Sequence, residues 1–196
     1  MKIEMIDLTA RETHDLLTGV ISPLPIALIS TVGEDGIYNA APFSLVTPVS
    51  WKPPIVLVSI GARGGLKKDT LRNIEFSKDF VINIMGEDSI KPAIAAAGNY
   101  PGNVDEIKEV GLNAIAAERV RAPLISEAQI SIECELYQKM ELSEGENFMS
   151  LIFGEVVLVH MKDGIWESGE VHPSALKAVG RLGNNIYCRT SDSFSI

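Results

Sequence analysis

Positive charge is concentrated in one short segment of this chain. The segment from Gly61 to Asn73 contains four cationic residues and one acidic residue, whereas the whole protein carries a net charge of −9. These residues are Arg63, Lys67, Lys68, Arg72 and Asp69. A local excess of positive charge in an acidic chain favours the binding of an anion. An alternative interpretation is that these charges only solvate a helix face, since exposed charge runs are common.

The elements predicted around this cluster favour a phosphate as the anion. Residues Ile55–Ile60 form a short, β-branched apolar run that predicts a strand buried on both faces. A glycine-rich connection and then a helix follow, with Asp69 or Thr70 as the expected N-cap. The free N–H groups of the helix start would meet a phosphate held by Lys67, Lys68 and the Thr70 hydroxyl. The glycine spacing matches neither the Rossmann fingerprint nor a P-loop.

Small side chains precede the predicted strand. This stretch contains Asn39, Ala40, Ala41, Pro42 and Ser44. Small residues let a flat ligand lie against the backbone, and the prolines between Pro42 and Pro54 hold the loop in fixed, non-helical dihedral angles. The small-residue loop and the cationic helix start together predict a site for a flat, anionic ligand.

The same stretch resembles the flavin reductase-like family, the FMN-binding split-barrel proteins that include flavoredoxin-type electron carriers. The resemblance rests on NAAPFSLVTPVSWKPPIVLVS followed by KKDTLRNI, and further matches extend it from about Pro23 to Tyr187. It implies a mainly β fold with peripheral helices, a Greek-key-like split β-barrel that forms one domain over residues 1–196. It also implies a homodimer with the flavin near the interface.

The resemblance implies which residues of this chain bind FMN. Those matching the family pattern are Asn39, Ala40, Ala41, Pro42, Ser44, Ser59, Lys68, Asp69 and Thr70, with Arg63 and Lys67 as neighbours. His160 ends a predicted strand where relatives often place a histidine near the cofactor, although an ordinary strand-end histidine fits equally well. Arg181, in a tail with Asn184 and Asn185, could approach the flavin or its electron donor, or simply belong to a surface loop. Leu24 stands where many relatives carry an arginine.

The function implied is that of an FMN-dependent NAD(P)H:flavin oxidoreductase. The cofactor itself accepts the hydride from NADH or NADPH, so no residue is predicted to act as an acid or base. One alternative is a flavoredoxin-type carrier that receives electrons from a partner reductase rather than from NAD(P)H. Another is a flavin-binding or storage protein without turnover.

Composition and spacing argue against several other classes of protein. A pI near 4.8 argues against nucleic acid as the main partner. No apolar run reaches the roughly 18 residues that span a bilayer, and no signal peptide is recognised, so we expect a cytoplasmic protein without a membrane segment. The three histidines lack metal-site spacing, so no metal is predicted. Cys134 alternates with polar residues and is predicted to be a packed core thiol.

The remaining elements are predicted from hydrophobic periodicity and turn residues. They are a helix at Leu8–Gly19 capped by Thr9, strands at Ile26–Val32 and Phe80–Ile84, a helix ending near Ala95–Ala97, a short acidic helix at Val104–Val110, an edge segment at Arg119–Pro123, and long strands at Gln129–Leu142 and Met149–Met161 joined by a turn at Ser143–Asn147. The last strand is apolar at nearly every position. Both of its faces should therefore be covered, by a closed barrel or by a second subunit.

Overall fold

The structure is a computed structural model that describes residues 1–144 and 147–194. Two residues of the turn predicted at 143–147, those at 145 and 146, lie outside this part. The described α-helices are α1 (Ala10–Val20), α2 (Asp69–Ser77), α3 (Ile90–Ala95), α4 (Glu106–Glu109) and α5 (Pro173–Leu176). Short 3-10 helices span Met5–Asp7 and Glu87–Ser89.

Strands dominate the described residues, which confirms the prediction of a mainly β chain. They are β1 (Leu24–Pro25), β2 (Ala27–Val32), β3 (Tyr38–Phe43), β4 (Val46–Trp51), β5 (Pro54–Gly61), β6 (Asp79–Met85), β7 (Ala114–Ile115), β8 (Leu124–Ile125), β9 (Ala128–Glu144), β10 (Asn147–Met161), β11 (Trp166–Glu167), β12 (Glu170–Val171), β13 (Val179–Gly183) and β14 (Ile186–Arg189).

The main sheet is antiparallel and has the order β3-β2-β6-β9-β10-β5-β4. Its core combines side chains from strands far apart in that order: Ile29 of β2 and Phe43 of β3 share one buried cluster with Val58 of β5 and Ile152 of β10. A flat sheet would keep these strands apart, so the sheet curls around its core. Ile74 of α2 joins the same cluster, which fixes the helix across the sheet beside β2 and β3.

A second core lies on the other side of β2, β3 and β6. There Leu28, Ala40 and Met85 pack against Ala93 of α3 and Ile107 of α4. This layer holds α3 and α4 next to β3, the strand that carries the small-residue stretch. The other strands form a separate three-stranded sheet, β1-β13-β14, and two pairs, β7-β8 and β11-β12.

The N-terminal helix begins as its sequence predicts. Thr9 is the N-cap of α1, and its hydroxyl accepts the N–H of Glu12 at 3.3 Å while the Glu12 carboxylate accepts the N–H of Thr9 at 2.8 Å. This reciprocal capping box satisfies two backbone donors that a helix start otherwise leaves free.

Several local predictions are wrong in detail. Strand β5 is fully buried on one face only: Val58 and Ile60 lie in the core with Val56 packed beside them, whereas Leu57 and Ser59 on the other face are partly exposed. Within one chain the second face of β10 is partly exposed, with Val159 at 39%, so the prediction that a second subunit covers this face stays a prediction. The predicted edge segment at 119–123 is a loop, and the acidic helix is reduced to Glu106–Glu109. The full burial of Cys134 is confirmed.

Across residues 1–144 and 147–194, the structure contains no helix that is both long and apolar enough to cross a membrane.

Candidate functional site

A groove lies where the small residues of β3, the start of α2 and the chain after α3 meet. Its cavity volume is about 230 Å³. The lining includes Asn39, Ala41, Pro42, Arg63, Lys67, Lys68, Asp69, Thr70, Ala97, Asn99 and Glu106. The structure therefore brings together eight of the predicted site residues, from Asn39 to Thr70, in a single groove.

The cations of this segment have different surroundings. Lys67 pairs with Glu75, Nζ lying 2.8 Å from Oε2, and Arg72 forms an ion pair with Asp69. Lys68 and Arg63 have no carboxylate within ion-pair distance among the described residues. Arg63 instead donates from Nη1 to Asn99 Oδ1 at 2.9 Å, and the Lys68 Nζ lies 5.2 Å from the centroid of the Phe43 ring. The groove therefore contains two cations without an acidic partner there.

Lys68 is the most constrained of these cations because its side chain is half-buried. Burial lowers the pKa of its ammonium group, and the nearby positive charge of Arg63 lowers it further. Both effects oppose the charged form. A bound anion in the groove would reverse the second effect and would stabilise the ammonium form.

The start of α2 adds backbone donors to this site. Lys68 is the N-cap, so Asp69 is the first residue of the helix, and the prediction that Asp69 or Thr70 is the N-cap is wrong by one or two positions. The N–H groups of Leu71 and Arg72 both donate to the Lys68 carbonyl. Those of Asp69 and Thr70 have no acceptor within the part of the chain described. They point outward at the positive end of the helix dipole, where anions bind.

The hydroxyl of Thr70 is engaged elsewhere. Thr70 is buried, and its Oγ1 donates to Asn39 Oδ1 at 3.0 Å. Asn39 Oδ1 also accepts from Thr31 Oγ1 at 3.2 Å, while Asn39 Nδ2 donates to Glu106 Oε1 at 2.8 Å. The Thr70 hydroxyl is therefore hydrogen-bonded to Asn39, and its expected contact with a phosphate stays a prediction.

Glu106 is the site residue that sequence reasoning missed. Only 6% of its surface is exposed, and it lines the groove from the side of α4. Burial raises the pKa of its carboxyl group, while hydrogen bonds from its own N–H, Asn39 and the Ala40 N–H oppose that effect. Its Oε2 atom has no hydrogen-bond partner in the described chain. The sequence offered only an acidic helix, which normally indicates an exposed face.

Small residues form two walls of the groove. Ala41 and Pro42 lie on one wall, and Ala97 and Gly98 after α3 lie on the other. Ala40, another predicted site residue, is fully buried in the second core and does not line the groove. The short side chains along these parts of the lining leave space for a thin, flat ligand.

The groove continues into a second cavity of about 240 Å³. The two share Pro42 and Ala97, and the second is also lined by Ser44, Arg181, Asn184, Asn185 and Tyr187. Ser44 and Arg181, both predicted site residues, therefore meet at the end of the groove that lies away from Lys68.

Besides Ala40, two predicted residues lie apart from these cavities. Ser59 pairs in register with Leu151 of β10 and does not line either cavity. His160 lies with its Nε2 atom 2.5 Å from Glu133 Oε1 at the far end of β10. Within one chain, neither residue reaches the groove, and their predicted contacts with a cofactor remain predictions.

The fold and the shape of the site define this molecule as a split-barrel protein with a groove at the rim of its sheet that is lined by two cations without an acidic partner among the described residues. The chain belongs to the family described as "Flavin reductase like domain", whose model matches residues 21–174. Membership supports a flavin-related oxidoreductase role and confirms the family resemblance seen in the sequence.

Solved structures of other proteins are similar over the whole chain. Nitrilotriacetate monooxygenase component B from Bacillus cereus is 31% identical, with a TM-score of 0.95 and coverage of 100% of this chain and 98% of that one. The 2-nitrobenzoate 2-nitroreductase NbaA of Pseudomonas fluorescens is 29% identical, with a TM-score of 0.91 over 100% and 95%. A split-barrel-domain protein from Shewanella frigidimarina, 19% identical with a TM-score of 0.86 over 100% and 98%, shows the fold alone. The predicted split barrel is confirmed.

Proposed function

We propose that the groove binds FMN and that the protein is an NAD(P)H:flavin oxidoreductase. The observation that carries this proposal is the half-buried Lys68 ammonium, which faces Arg63 and has no carboxylate partner in the described residues. A positive pair of this kind is unfavourable alone and becomes favourable when a phosphate lies between its members. The N–H groups of Asp69 and Thr70 supply further donors for the same phosphate.

The rest of the groove fits the remaining parts of FMN. The narrow space between the walls at Ala41 and Ala97 suits the ribityl chain, and the neighbouring cavity with Ser44 and Arg181 suits a flat ring. The unpartnered Oε2 of Glu106 is an acceptor that a ribityl hydroxyl could satisfy. A buried polar atom without a partner is costly, so such a contact would favour binding.

The bound cofactor would supply the redox chemistry: FMN takes one hydride, two electrons and a proton, from NAD(P)H, which leaves as NAD(P)⁺. The protein's own residues then have three tasks. Lys68 and Arg63 anchor the phosphate, the small residues at Ala41 and Ala97 hold the ribityl chain, and Ser44 and Arg181 line the cavity for the ring. The names of the similar B. cereus monooxygenase component and P. fluorescens nitroreductase agree with an oxidoreductase role.

We also propose that the protein is a homodimer. The outward face of the sheet is apolar: Met140 of β9 pairs with Leu151 of β10, and Leu151 pairs with Ser59 of β5. Met140 is 45% exposed and Leu142 on the same face is 56% exposed. An exposed apolar face of this extent favours an interface, and a second copy would cover it. Ser59 would then lie between the two copies.

The decisive experiment is the absorbance spectrum of the purified protein before and after anaerobic addition of NADH or NADPH. We expect a yellow protein, or one that becomes yellow with added FMN, that is bleached by the dinucleotide. A colourless protein that takes up no FMN would contradict the proposal. A yellow protein that stays oxidised until a partner reductase is added would instead indicate the flavoredoxin-type carrier.

The dimer is tested separately by light scattering after size-exclusion chromatography. We expect a mass of about twice 21.2 kDa for the native chain. Met140→Glu should shift the protein toward the monomer, because it places a charge in the centre of the apolar face. A native chain that elutes as a monomer at all concentrations would contradict this part of the proposal.

A further inference from the structure

A third cavity extends the site beyond its ring end. It lies between α1 and the turn joining β13 to β14, has a volume of about 750 Å³, and is lined by Arg11, His14, Asp15, Arg181, Asn184 and Asn185. Arg181, Asn184 and Asn185 also line the cavity that the proposed function assigns to the flavin ring, the ring-end cavity. The phosphate groove, the ring-end cavity and this outer cavity therefore form one continuous line across the molecule.

We infer that the outer cavity binds the phosphate-bearing half of the electron donor, a reduced nicotinamide dinucleotide. The inference rests on the proposed function, since a donor must place its nicotinamide against the flavin ring. The opposite end of the line, at Lys68, is assigned to the flavin's own phosphate. A dinucleotide whose nicotinamide stacks on a flavin ring in the ring-end cavity can then extend its phosphates outward, past Arg181, toward α1.

The turn between β13 and β14 presents free hydrogen-bond donors to this cavity. Asn184 has a φ of 43°, in the left-handed region, which closes a tight turn between Gly183 and Ile186. The Nε of Arg181 donates to the Asn184 carbonyl at 3.1 Å, which orients the guanidinium plane. The Nη atoms of Arg181 and the side-chain amides of Asn184 and Asn185 have no hydrogen-bond partner among the residues described. These donors are available to phosphate oxygens.

Helix α1 supplies the other side of the cavity. Arg11, His14 and Asp15 are three and four positions apart and so lie on one face of the helix. His14 Nδ1 lies 3.0 Å from Asp15 Oδ1, and Arg11 Nε lies 3.8 Å from Asp15 Oδ2. The cavity thus holds two guanidinium groups against one carboxylate, which leaves an excess of positive charge in a protein of net charge −9. This excess favours a pyrophosphate or a 2′-phosphate over a neutral ligand.

The side chains of the cavity suit the recognition of a phosphate. The donor offers two kinds of phosphate group. The pyrophosphate is common to NADH and NADPH, whereas the 2′-phosphate belongs to NADPH alone. Comparison of the two dinucleotides therefore identifies which phosphate is contacted. An acidic surface of a partner protein is the competing occupant, and its binding would not respond to either dinucleotide.

The test uses the FMN-loaded protein and the variants Arg181→Ala and Arg11→Ala. We expect KM for the donor to rise about tenfold in Arg181→Ala, as for one charge-assisted hydrogen bond. For Arg11→Ala we expect about threefold, because its side chain is 91% exposed and screened by solvent. FMN affinity should not change in Arg11→Ala. Arg119→Ala, which removes the same charge from a distant exposed loop, is the matched control and should leave KM unchanged.

A second measurement does not depend on turnover. Adenosine 2′,5′-bisphosphate and ADP should bind to the flavin-free protein by calorimetry, and both Arg11→Ala and Arg181→Ala should weaken that binding. Equal effects on NADH and NADPH would assign the pyrophosphate to the cavity, and effects on NADPH alone would assign the 2′-phosphate. Normal reduction with unchanged KM and no binding of either adenosine nucleotide would overturn the inference and leave the proposed function intact. Failure of both dinucleotides to reduce the bound flavin would overturn both.

Discussion

Two charged side chains of this protein lie in opposite electrostatic surroundings. Glu133 is fully buried, and its carboxylate accepts three backbone N–H groups from residues 118–120 and meets His160 Nε2 at 2.5 Å. Lys68 is half-buried, and its charged neighbour is Arg63, another cation. A buried charge that is hydrogen-bonded by its own chain is costly to unpair, whereas a charge that faces a like charge gains stability when an anion binds.

The pKa directions agree with this difference. Burial alone would raise the pKa of Glu133, but the N–H groups of Glu118, Arg119 and Val120 together with His160 lower it. For Lys68 burial and its neighbour act in the same direction and both lower the pKa. The first group is satisfied in its charged form without any ligand, and the second is not. We expect substitutions at the two positions to affect different quantities.

The largest expected effect is the loss of stability in Glu133→Ala. The substitution removes the acceptor of three N–H groups and of His160, so we expect the free energy of unfolding to fall by about 3 to 5 kcal/mol in urea denaturation. Because the folded pKa of Glu133 is lowered, its contribution is present above the unfolded pKa and is lost as the pH falls. The difference between the variant and the native protein should therefore shrink in acid.

A matched control for that experiment lies two residues along the same strand. Glu135 is exposed, and its replacement by alanine should change the free energy of unfolding by less than about 0.5 kcal/mol. A similar loss in both variants would mean that the strand is sensitive to any change, and the interpretation of Glu133 as a satisfied charge would be wrong.

The next largest effect is expected on ligand affinity at Lys68, the charge that lacks an acidic partner among the described residues. Lys68→Ala should weaken FMN binding by roughly 10- to 100-fold, since a charge-assisted hydrogen bond contributes about 1.5 to 3 kcal/mol. Riboflavin, which has no phosphate, should bind almost as before. The flavin-free variant should be no less stable than the native protein, because the substitution removes the repulsion from Arg63.

Lys67→Ala is the control for this prediction. Lys67 lines the same groove but is paired with Glu75, so its removal should weaken FMN binding much less than removal of Lys68. Both dissociation constants follow from fluorescence titration. Equal losses for FMN and riboflavin in Lys68→Ala would place the phosphate elsewhere.

Much of the fold could be predicted from the sequence because its signals are local. The capping residues at Thr9 and Glu12, the alternation around Cys134 and the apolar run of β10 each depend on a few neighbouring residues. The segment with Lys68 and the small-residue loop was also visible as composition. What local patterns could not provide was the pairing of charges, since Lys67 and Lys68 are adjacent in sequence and only one of them has a carboxylate partner.

The residues missed by sequence reasoning are those brought to the site by packing. Glu106 is 67 positions from Asn39, and its burial follows from Ile107 of the same short helix packing into the second core. Asn99 reaches Arg63 over 36 positions. The prediction of the N-cap was wrong, since Lys68 holds that position. The predicted phosphate contact of Thr70 stays a prediction, and packing adds the bond from its hydroxyl to Asn39, which the helix pattern could not reveal.

A smaller effect is expected from Thr70→Val, which keeps the side-chain shape and removes the hydroxyl. The bond to Asn39 is lost, so the free energy of unfolding should fall by about 1 kcal/mol. FMN and riboflavin affinities should fall by the same factor, because the hydroxyl is committed to Asn39 rather than to the phosphate. Thr70→Ser should retain both properties. A loss specific to FMN would show that the hydroxyl turns to the phosphate when the ligand binds.

The smallest effect is expected from Glu106→Gln. The Glu106 carboxyl is buried, and one of its oxygens is bonded to Asn39 while the other has no partner in the described chain. Burial raises the pKa of this carboxyl, so the folded state holds its proton more tightly than the unfolded chain. Stability from this group is therefore present below the unfolded pKa and is lost as the pH rises through the folded pKa. Gln keeps an acceptor for Asn39 and never ionises. We expect the variant to equal the native protein near pH 4 and to exceed it by about 1 kcal/mol near pH 8, in urea denaturation of the flavin-free protein. A variant less stable at every pH would mean that the carboxylate, like that of Glu133, is fully satisfied by its own chain.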